Sequence, residues 1–298
     1  MLGGVVLAAF YSPEAIARFP VGSLVLGVIA VCLVASSNYV INEVLDAPND
    51  RLHPTKKSRP IPAGLVKLPI AYAEWIGVGI VGLTIAWLVN KPFFYSALTL
   101  WIMGVFYNVP PMRTKEIAYL DVLSESVNNP LRLLMGWFVV SPDIVPPVSL
   151  TVAYWMVGAF FMASKRFAEF RMINDQKAAA AYRGSFKFYN GDRLLVSMFF
   201  YTAVCAMMLG VFIVRYKLEL LLSVPLLAGF FAYYLHVTFK ENSPVQNPEH
   251  LYKQYGLMIY LVVTLVVFFA LLFVEIPYLY QVFNVEPSKL KSLWTIGH

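Results

Sequence analysis

The stretch NEVLDAPNDRLHPTKKSRPIPAG, residues 42–64, decides how the rest of this sequence is interpreted. It follows directly on an apolar segment, Val21–Ile41, and it opens with an amide and three acids before a run of cations. Ionisable side chains at the edge of a hydrocarbon layer are costly, and they usually mark a functional site. The stretch therefore predicts a metal and phosphate site at the mouth of a helical bundle.

The composition predicts an all-α integral membrane protein. Of the 298 residues, 59% are hydrophobic and 13% are charged, and the mean hydropathy is +0.66. Soluble chains carry about 25% charged residues. Apolar runs recur along the whole sequence, each close to the ~20 residues that a helix needs to cross a bilayer. We see no composition shift that separates a soluble domain, so residues 1–298 are expected to form a single transmembrane domain.

The apolar runs predict about nine transmembrane helices in one bundle. Their expected bounds are 1–10, 21–45, 70–89, 93–107, 119–140, 148–167, 194–215, 218–239 and 256–280. Residues 1–10 are too short to span a bilayer. We expect them to be the end of a first helix that is truncated at its N-terminus.

The net charge of +6 is explained by the loops between these helices. Most loop Lys and Arg residues lie on the side that holds residues 42–64, and this bias places that side in the cytoplasm. The predicted location is the cytoplasmic (inner) membrane, with the lipid bilayer as a partner and no nucleic acid. Cys32 and Cys205 both lie in apolar segments and are expected to be packing thiols rather than a disulfide.

Asn42, Asp46 and Asp50 are spaced by four residues, so a helix places them on one face. Carboxylates brought together repel unless a cation lies between them. Oxygen ligands with room for substrate phosphates suit Mg²⁺. The alternative is a solvated helix end.

The cations that follow are typical of a phosphate clamp. Arg51, Lys57 and Arg59 can bind phosphate oxygens, the arginines through two hydrogen bonds at once. Arg59 precedes the rigid sequence Pro60-Ile61-Pro62, which makes it the strongest candidate. The alternative is a positively charged loop that contacts lipid headgroups.

Two further polar groups interrupt apolar helices. Asp121, Glu125, Asn128 and Arg132 fall within one narrow stripe of a helix, which must face the bundle interior and find partners. The alternative for Arg132 is a structural ion pair with an acid such as Glu125.

The second group is Lys165, Arg166 and Glu169, near the end of the helix predicted over 148–167. These residues offer cations for a phosphate and an acid for a metal or for orienting the lysine. The alternative is a salt bridge of small energetic weight at a helix end.

At these residues the sequence resembles the UbiA superfamily of intramembrane prenyltransferases. The first motif of that family stands here as Asn42-Glu43-x-x-Asp46-x-x-x-Asp50, with Glu43 in place of the usual Asp or Asn. It is followed by Arg51-x-His53-Pro54-x-Lys56-x-x-Arg59-Pro60-x-x-Ala63-Gly64. The resemblance implies nine helices around a central lipid-accessible cavity. It also implies Mg²⁺ held by Asp46 and Asp50, supported by Asn42 and Glu43, and bound to the diphosphate of a donor.

The second motif of the family, D-x-x-x-D, is replaced by Lys165-Arg166-x-x-Glu169. This departure is similar to the branch that transfers 5-phosphoribose from phosphoribosyl diphosphate (PRPP) to a polyprenyl phosphate such as decaprenyl phosphate. Arg132 also looks like that branch, whereas SESVNNPLR, residues 124–132, does not look typical of it.

The polar side chains favour PRPP as the donor. A prenyl diphosphate needs a long apolar tunnel, whereas PRPP needs partners for ribose hydroxyls and a 5-phosphate. The residues that can supply them are Arg113, Lys115, Asp121, Glu125, Asn128, Lys165 and Arg166. In this reading Lys57 and Arg59 hold the diphosphate, Asp121 or Glu125 hydrogen-bonds ribose, and the lipid phosphate attacks C1.

Two other functions stay open. The first is transfer of a polyprenyl group from its diphosphate to an aromatic acceptor, as in quinone or pigment biosynthesis. The second is a lipid transporter or binder without covalent chemistry, because intramembrane charges also mark transport paths. A homo-oligomer is compatible with all three.

Overall fold

The computed structural model describes residues 1–12, 14, 21–51, 56–246, 248–284 and 294–295. The α-helices are α1 (Leu2–Tyr11), α2 (Val21–Asp50), α3 (Leu68–Val89), α4 (Lys91–Asn108), α5 (Leu120–Ser126), α6 (Asn128–Val140), α7 (Val148–Ile173), α8 (Gln176–Tyr182), α9 (Gly191–Tyr216), α10 (Val224–Thr238), α11 (Tyr255–Phe273) and α12 (Pro277–Val282). The 3₁₀ helices are Lys56–Ser58, Thr114–Glu116, Gly184–Lys187, Leu218–Ser223, Pro244–Gln246 and Pro248–Lys253. Two short strands, β1 (Val274–Glu275) and β2 (Trp294–Thr295), pair in parallel.

The protein is an all-helical integral membrane protein, as predicted. Within the described residues, 6 helical segments are long and apolar enough to cross a membrane. They are α2, α3, α7, α9, Leu218–Thr238 and α11. The predicted count of nine helices is not confirmed, and a central lipid-accessible cavity stays a prediction.

The chain divides into two compact units, residues 1–146 and 147–298. Unit 1 contains α1 to α6, and unit 2 contains α7 to α12 with the two strands. The expectation of a single transmembrane domain stays a prediction.

Helix α2 is the central element of unit 1 and packs against α3, α4 and α6. Its buried residues recur every three or four positions and form one stripe: Gly27, Ala30, Val34, Ser37, Ile41, Val44, Ala47 and Asp50. Small residues in such a stripe allow close helix packing in a membrane. A Cβ atom added to Gly82 of α3 would lie 3.0 Å from the Cβ of Leu33, so glycine permits this approach.

The length of α2 places its polar end outside the hydrocarbon layer. The apolar part, residues 21–41, covers about 32 Å at 1.5 Å per residue, which matches a hydrocarbon core of ~30 Å. The helix was predicted to end near residue 45, but it continues to Asp50. Asn42, Asp46 and Asp50 therefore all lie on the last turns of one helix, as their spacing predicts.

The prediction of one continuous helix over residues 119–140 is wrong, because the helix is interrupted. The structure has two helices, α5 and α6, separated at Val127, whose backbone keeps right-handed angles of φ −60° and ψ −20°. Pro130 explains the interruption, because proline has no N–H and its ring crowds the carbonyl four residues earlier, at Ser126.

The helices predicted over 218–239 and 256–280 are also divided. The first begins as a 3₁₀ helix, Leu218–Ser223, before α10. The second ends at Phe273, and Pro277 begins α12 after the short strand β1. Proline is favoured in the first turn of a helix and disfavoured inside one, so Pro277 starts a new helix rather than extending α11.

A buried ion pair at the start of the 3₁₀ helix Leu218–Ser223 connects this helix to α12 and to the residue before it. Lys217 and Glu219 are 1% and 0% exposed, and their charged atoms are 3.6 Å apart. The Glu219 carboxylate also accepts hydrogen bonds from the Ile276 amide at 3.0 Å and from the Tyr280 hydroxyl at 3.1 Å. Burial lowers the pKa of Lys217, and the charge of Glu219 opposes this effect.

Replacing Glu219 with alanine is expected to destabilise unit 2 strongly. The change leaves the Lys217 charge and two donors buried without this acceptor, and such losses cost about 3–5 kcal/mol. Thermal unfolding in detergent measures the effect. Glu241→Gln at an exposed position is the matched control and should leave the midpoint unchanged. An equally stable Glu219→Ala variant would contradict the structural role of the pair.

Candidate active site

Lys115 connects the polar end of α2 to the loop after α4. Its Nζ atom donates to Asp46 Oδ1 at 2.6 Å, to Asn42 Oδ1 at 3.2 Å and to Asn108 Oδ1 at 3.0 Å. The three acceptors satisfy all three donors of the ammonium group. The structure thus brings together three of the predicted site residues, Asn42, Asp46 and Lys115.

The charge of Lys115 is held inside the protein. The residue is 4% exposed, and burial lowers its pKa while the neighbouring Asp46 carboxylate opposes that effect. Arg113, also predicted, lies beside it and places Nη2 3.4 Å from Asp46 Oδ1. Asp46 therefore lies opposite two cations.

The backbone of this loop is strained at two non-glycine residues. Arg113 has φ 31° and Tyr119 has φ 67°, both in the left-handed region. Such conformations cost about 1–3 kcal/mol each and are enriched at functional sites. They flank the 3₁₀ helix Thr114–Glu116 that carries Lys115.

Asp50 has a different partner. It is 5% exposed, and its Oδ2 atom accepts a hydrogen bond from Arg59 Nη1 at 2.8 Å. The Arg59 side chain is 42% exposed, so part of the guanidinium can reach a ligand. Arg51 Nε donates to the Pro62 carbonyl at 3.4 Å, and Lys57 is exposed. His53 lies outside the described residues.

Glu43 contacts the backbone of the following loop. Its Oε1 atom accepts a hydrogen bond from the Ile61 amide at 2.9 Å. Ile61 itself is buried against Val44, Ala47 and Ala71.

The carboxylates at the end of α2 are suited in type to a magnesium–diphosphate complex. Within the described part of the chain, no group of three or more His, Cys, Asp or Glu residues could hold a metal ion. Mg²⁺ in nucleotide-type sites uses one or two carboxylates and takes its other ligands from phosphate and water. Asp46 and Asp50 offer such oxygens, and the adjacent Arg59, Arg113 and Lys115 supply charges that attract a diphosphate.

The polar stripe of α5 and α6 is partly buried. Asp121 is 0% exposed, whereas Glu125, Asn128 and Arg132 are half-buried. The Oδ1 atom of Asn128 is buried, and among the described residues it has no hydrogen-bond partner. A buried acceptor without a partner is costly, so this atom is suited to a ligand or a water molecule.

In unit 2, Arg166 and Glu169 form a buried ion pair on α7. Arg166 Nη1 lies 3.1 Å from Glu169 Oε2, and the two residues are 2% and 8% exposed. Lys165 is half-buried, and its charge also acts on Glu169, as does that of Arg183. Lys165 and Arg166 are two neighbouring cations on α7, and Glu169 pairs with Arg166, so this part of α7 has an excess of positive charge for an anionic ligand.

Sequence reasoning missed two of these residues. Asn108 directly follows the apolar segment predicted over 93–107, just as Asn42 follows Ile41, and this parallel could have identified it. Arg183 directly follows α8 and was not among the predicted site residues. No local pattern links it to Glu169.

A family model matches most of the amino-acid sequence. The UbiA prenyltransferase family matches residues 1–252. The chain therefore belongs to the UbiA prenyltransferase family, which confirms the resemblance of its motifs.

Relatives of this chain have different names within the family. It is 32% identical over 170 residues to the decaprenyl-phosphate phosphoribosyltransferase of Mycolicibacterium smegmatis, covering 56% of this chain and 50% of that protein. It is 33% identical over 94 residues to the digeranylgeranylglyceryl phosphate synthase of Sulfurisphaera tokodaii, covering 32% and 33%. The chain spans about half the length of the first of these curated relatives.

The fold is also similar to a solved structure of a UbiA homolog from Archaeoglobus fulgidus bound to DMAPP and Mg²⁺. The TM-score is 0.66 at 21% sequence identity, over 91% of this chain and 94% of that one. At this identity the similarity establishes the fold.

Proposed function

We propose that this protein transfers 5-phosphoribose from PRPP to a polyprenyl phosphate and releases diphosphate. The observation that carries the proposal is the pair of neighbouring cations on α7, Lys165 and Arg166, of which Arg166 forms a buried ion pair with the single carboxylate of Glu169 at 3.1 Å. A metal site of two acids is expected there in a prenyl-diphosphate enzyme, whereas cations favour a phosphate. The name of the Mycolicibacterium relative supports the same reaction.

The diphosphate of the donor binds at the end of α2. Asp46 and Asp50, with Asn42, would hold Mg²⁺, and a bound Mg²⁺ ion would supply positive charge to the departing diphosphate. Arg59, Lys57, Arg113 and Lys115 surround the same oxygens. Arg113 pairs with Asp46 at 3.4 Å in the free protein and is partly exposed, so a diphosphate offers it a second anionic partner.

The ribose of the donor lies against the polar stripe. Asp121 and Glu125 accept hydrogen bonds from ribose hydroxyls, and the Oδ1 atom of Asn128, which has no partner in the described part of the chain, supplies a further acceptor. Arg132, the last residue of the stripe, binds the 5-phosphate or holds an acid of the stripe. A prenyl chain has no donor or charge to match these groups.

The reaction is a substitution at ribose C1. An oxygen of the lipid phosphate forms the new bond to C1, while the bond from C1 to the diphosphate oxygen breaks and its electron pair leaves with diphosphate. Lys165 and Arg166 bind the lipid phosphate, and Glu169 orients Arg166 through the 3.1 Å ion pair. Fixed cations stabilise the charge that develops on the leaving group.

The site opens to the cytoplasm, where PRPP is soluble and where the bias of loop cations places residues 42–64. Its partners are the bilayer, a polyprenyl phosphate and PRPP. A homo-oligomer is compatible with this arrangement.

Prenyl transfer to an aromatic acceptor is the second candidate. The structure of the Archaeoglobus homolog holds DMAPP, and the Sulfurisphaera relative is named for a prenylated lipid. The diphosphate site at the end of α2 serves both donors equally. Family membership favours either enzyme over a transporter or lipid binder without chemistry.

Diphosphate release distinguishes these functions. The full-length protein in liposomes with Mg²⁺ and PRPP is expected to release diphosphate only when a polyprenyl phosphate is present. Release from a prenyl diphosphate with an aromatic acceptor, and none from PRPP, would select the second candidate. No release from either donor would indicate a non-catalytic lipid binder.

A further inference from the structure

A hydrogen bond links the loop after α2 to the Glu43 side chain. In the sequence Pro60-Ile61-Pro62 only Ile61 has a backbone N–H, because proline has none. That N–H donates to Glu43 Oε1 at 2.9 Å. The one backbone donor of this tripeptide is therefore bonded to a side chain of α2, the helix that carries Asp46 and Asp50.

Residues 59–64 form a turn around Ile61. The Gly64 amide donates to the Ile61 carbonyl at 3.0 Å, and the Ala63 amide donates to the Arg59 carbonyl at 2.9 Å. Gly64 has φ 76°, a conformation that favours glycine. Movement of Ile61 would thus move the backbone of Arg59.

Arg59 depends on this turn for its place beside Asp50. It lies two residues before Ile61, and its Nη1 atom is 2.8 Å from Asp50 Oδ2 while much of the side chain stays exposed. Ordering a long arginine side chain costs conformational entropy. A fixed backbone lowers that cost before a ligand binds.

We propose that Glu43 is a positioning residue rather than a metal ligand. Its carboxylate fixes the Pro60–Pro62 turn, and the turn presents Arg59 to the diphosphate. The inference rests on the proposed function only in assuming that a diphosphate binds here, and this holds for either donor. It also explains why a glutamate stands where the family has Asp or Asn, since the longer side chain reaches the loop.

The two roles require different chemistry at position 43. A tether to an amide needs reach and an acceptor oxygen, so Glu43→Gln keeps it and Glu43→Asp, one methylene shorter, loses it. A metal ligand needs negative charge, so Glu43→Asp is the milder change. Which of the two variants is more impaired therefore distinguishes a tether to the Ile61 amide from a metal ligand.

Binding of inorganic diphosphate with Mg²⁺ to the full-length protein, measured by calorimetry, is the test. We expect Glu43→Gln to bind within about twofold of the parent protein and Glu43→Asp to bind about tenfold more weakly, because one hydrogen bond to a charged group is lost. In the transfer reaction, Glu43→Asp should raise the KM of the donor more than it lowers kcat. Hydrogen exchange at the Ile61 amide should accelerate in Glu43→Asp and not in Glu43→Gln.

Loss of diphosphate binding in Glu43→Gln would overturn the proposal. This measurement is informative even if Glu43→Asp does not fold. Unchanged exchange at Ile61 in a folded Glu43→Asp variant would also overturn it. Glu74→Gln, an exposed position on α3, is the matched control and should change nothing. A failure of phosphoribosyl transfer is separate, because diphosphate binding and amide exchange require no turnover.

Discussion

Replacing Asp46 with asparagine is expected to reduce kcat by about 10³-fold, or about 4 kcal/mol of transition-state stabilisation. Asp46 is the acceptor shared by Lys115 at 2.6 Å and Arg113 at 3.4 Å, and it is proposed to hold Mg²⁺. Asparagine keeps the size and one acceptor oxygen but removes the charge. Initial rates of diphosphate release at saturating PRPP and Mg²⁺ measure the effect.

Folding must be separated from chemistry in this variant, because Lys115 stays buried beside a neutral residue. Asp50→Asn provides the second arm, since the side chain of its partner Arg59 is 42% exposed and solvent can replace the lost contact. Asp143→Asn, exposed in the same unit, is the matched control. Near-normal kcat in folded Asp46→Asn and Asp50→Asn variants would contradict the assignment of a metal site to this end of α2.

Replacing Arg166 with lysine is expected to lower kcat/KM for the lipid phosphate by about 10²-fold. Lysine conserves the charge opposite Glu169 but not the planar pair of donors that an arginine offers to a phosphate. Arg166 is 2% exposed, so water cannot replace the lost hydrogen bonds. Steady-state rates at varied polyprenyl phosphate measure the change.

Arg193→Lys, at an exposed position in the same unit, is the control and should keep the parent rates. The KM for PRPP should change less than the KM for the lipid, because Arg166 is assigned to the lipid phosphate. An Arg166→Lys variant with unchanged kinetics would show that the pair with Glu169 is only structural.

The sequence was sufficient for the membrane class and for the course of α2. The apolar run and the spacing of Asn42, Asp46 and Asp50 are local signals, and all three residues do lie on one helix. Pro130 was also a local signal, and its effect on the helix over 119–140 was overlooked. The bounds of α1, α3, α4 and α9 lie within a few residues of those predicted.

The partners of the site residues could not be read from the sequence. Lys115 lies 69 residues from Asp46, and only tertiary packing brings the two together. Nothing in the spacing pairs Glu43 with Ile61, because the geometry of the intervening loop decides that contact. Charge and hydropathy thus identify which residues are costly to bury. Their hydrogen-bond and ion-pair partners are determined by the tertiary structure.

The mass of the lipid product shows which group the protein transfers and to which acceptor. The full-length protein in liposomes receives Mg²⁺, PRPP, a polyprenyl phosphate, a prenyl diphosphate and an aromatic acceptor together. We expect the polyprenyl phosphate to gain the mass of one phosphoribosyl group, while the prenyl diphosphate and the aromatic acceptor stay unchanged. A prenylated aromatic product with unmodified polyprenyl phosphate would contradict it.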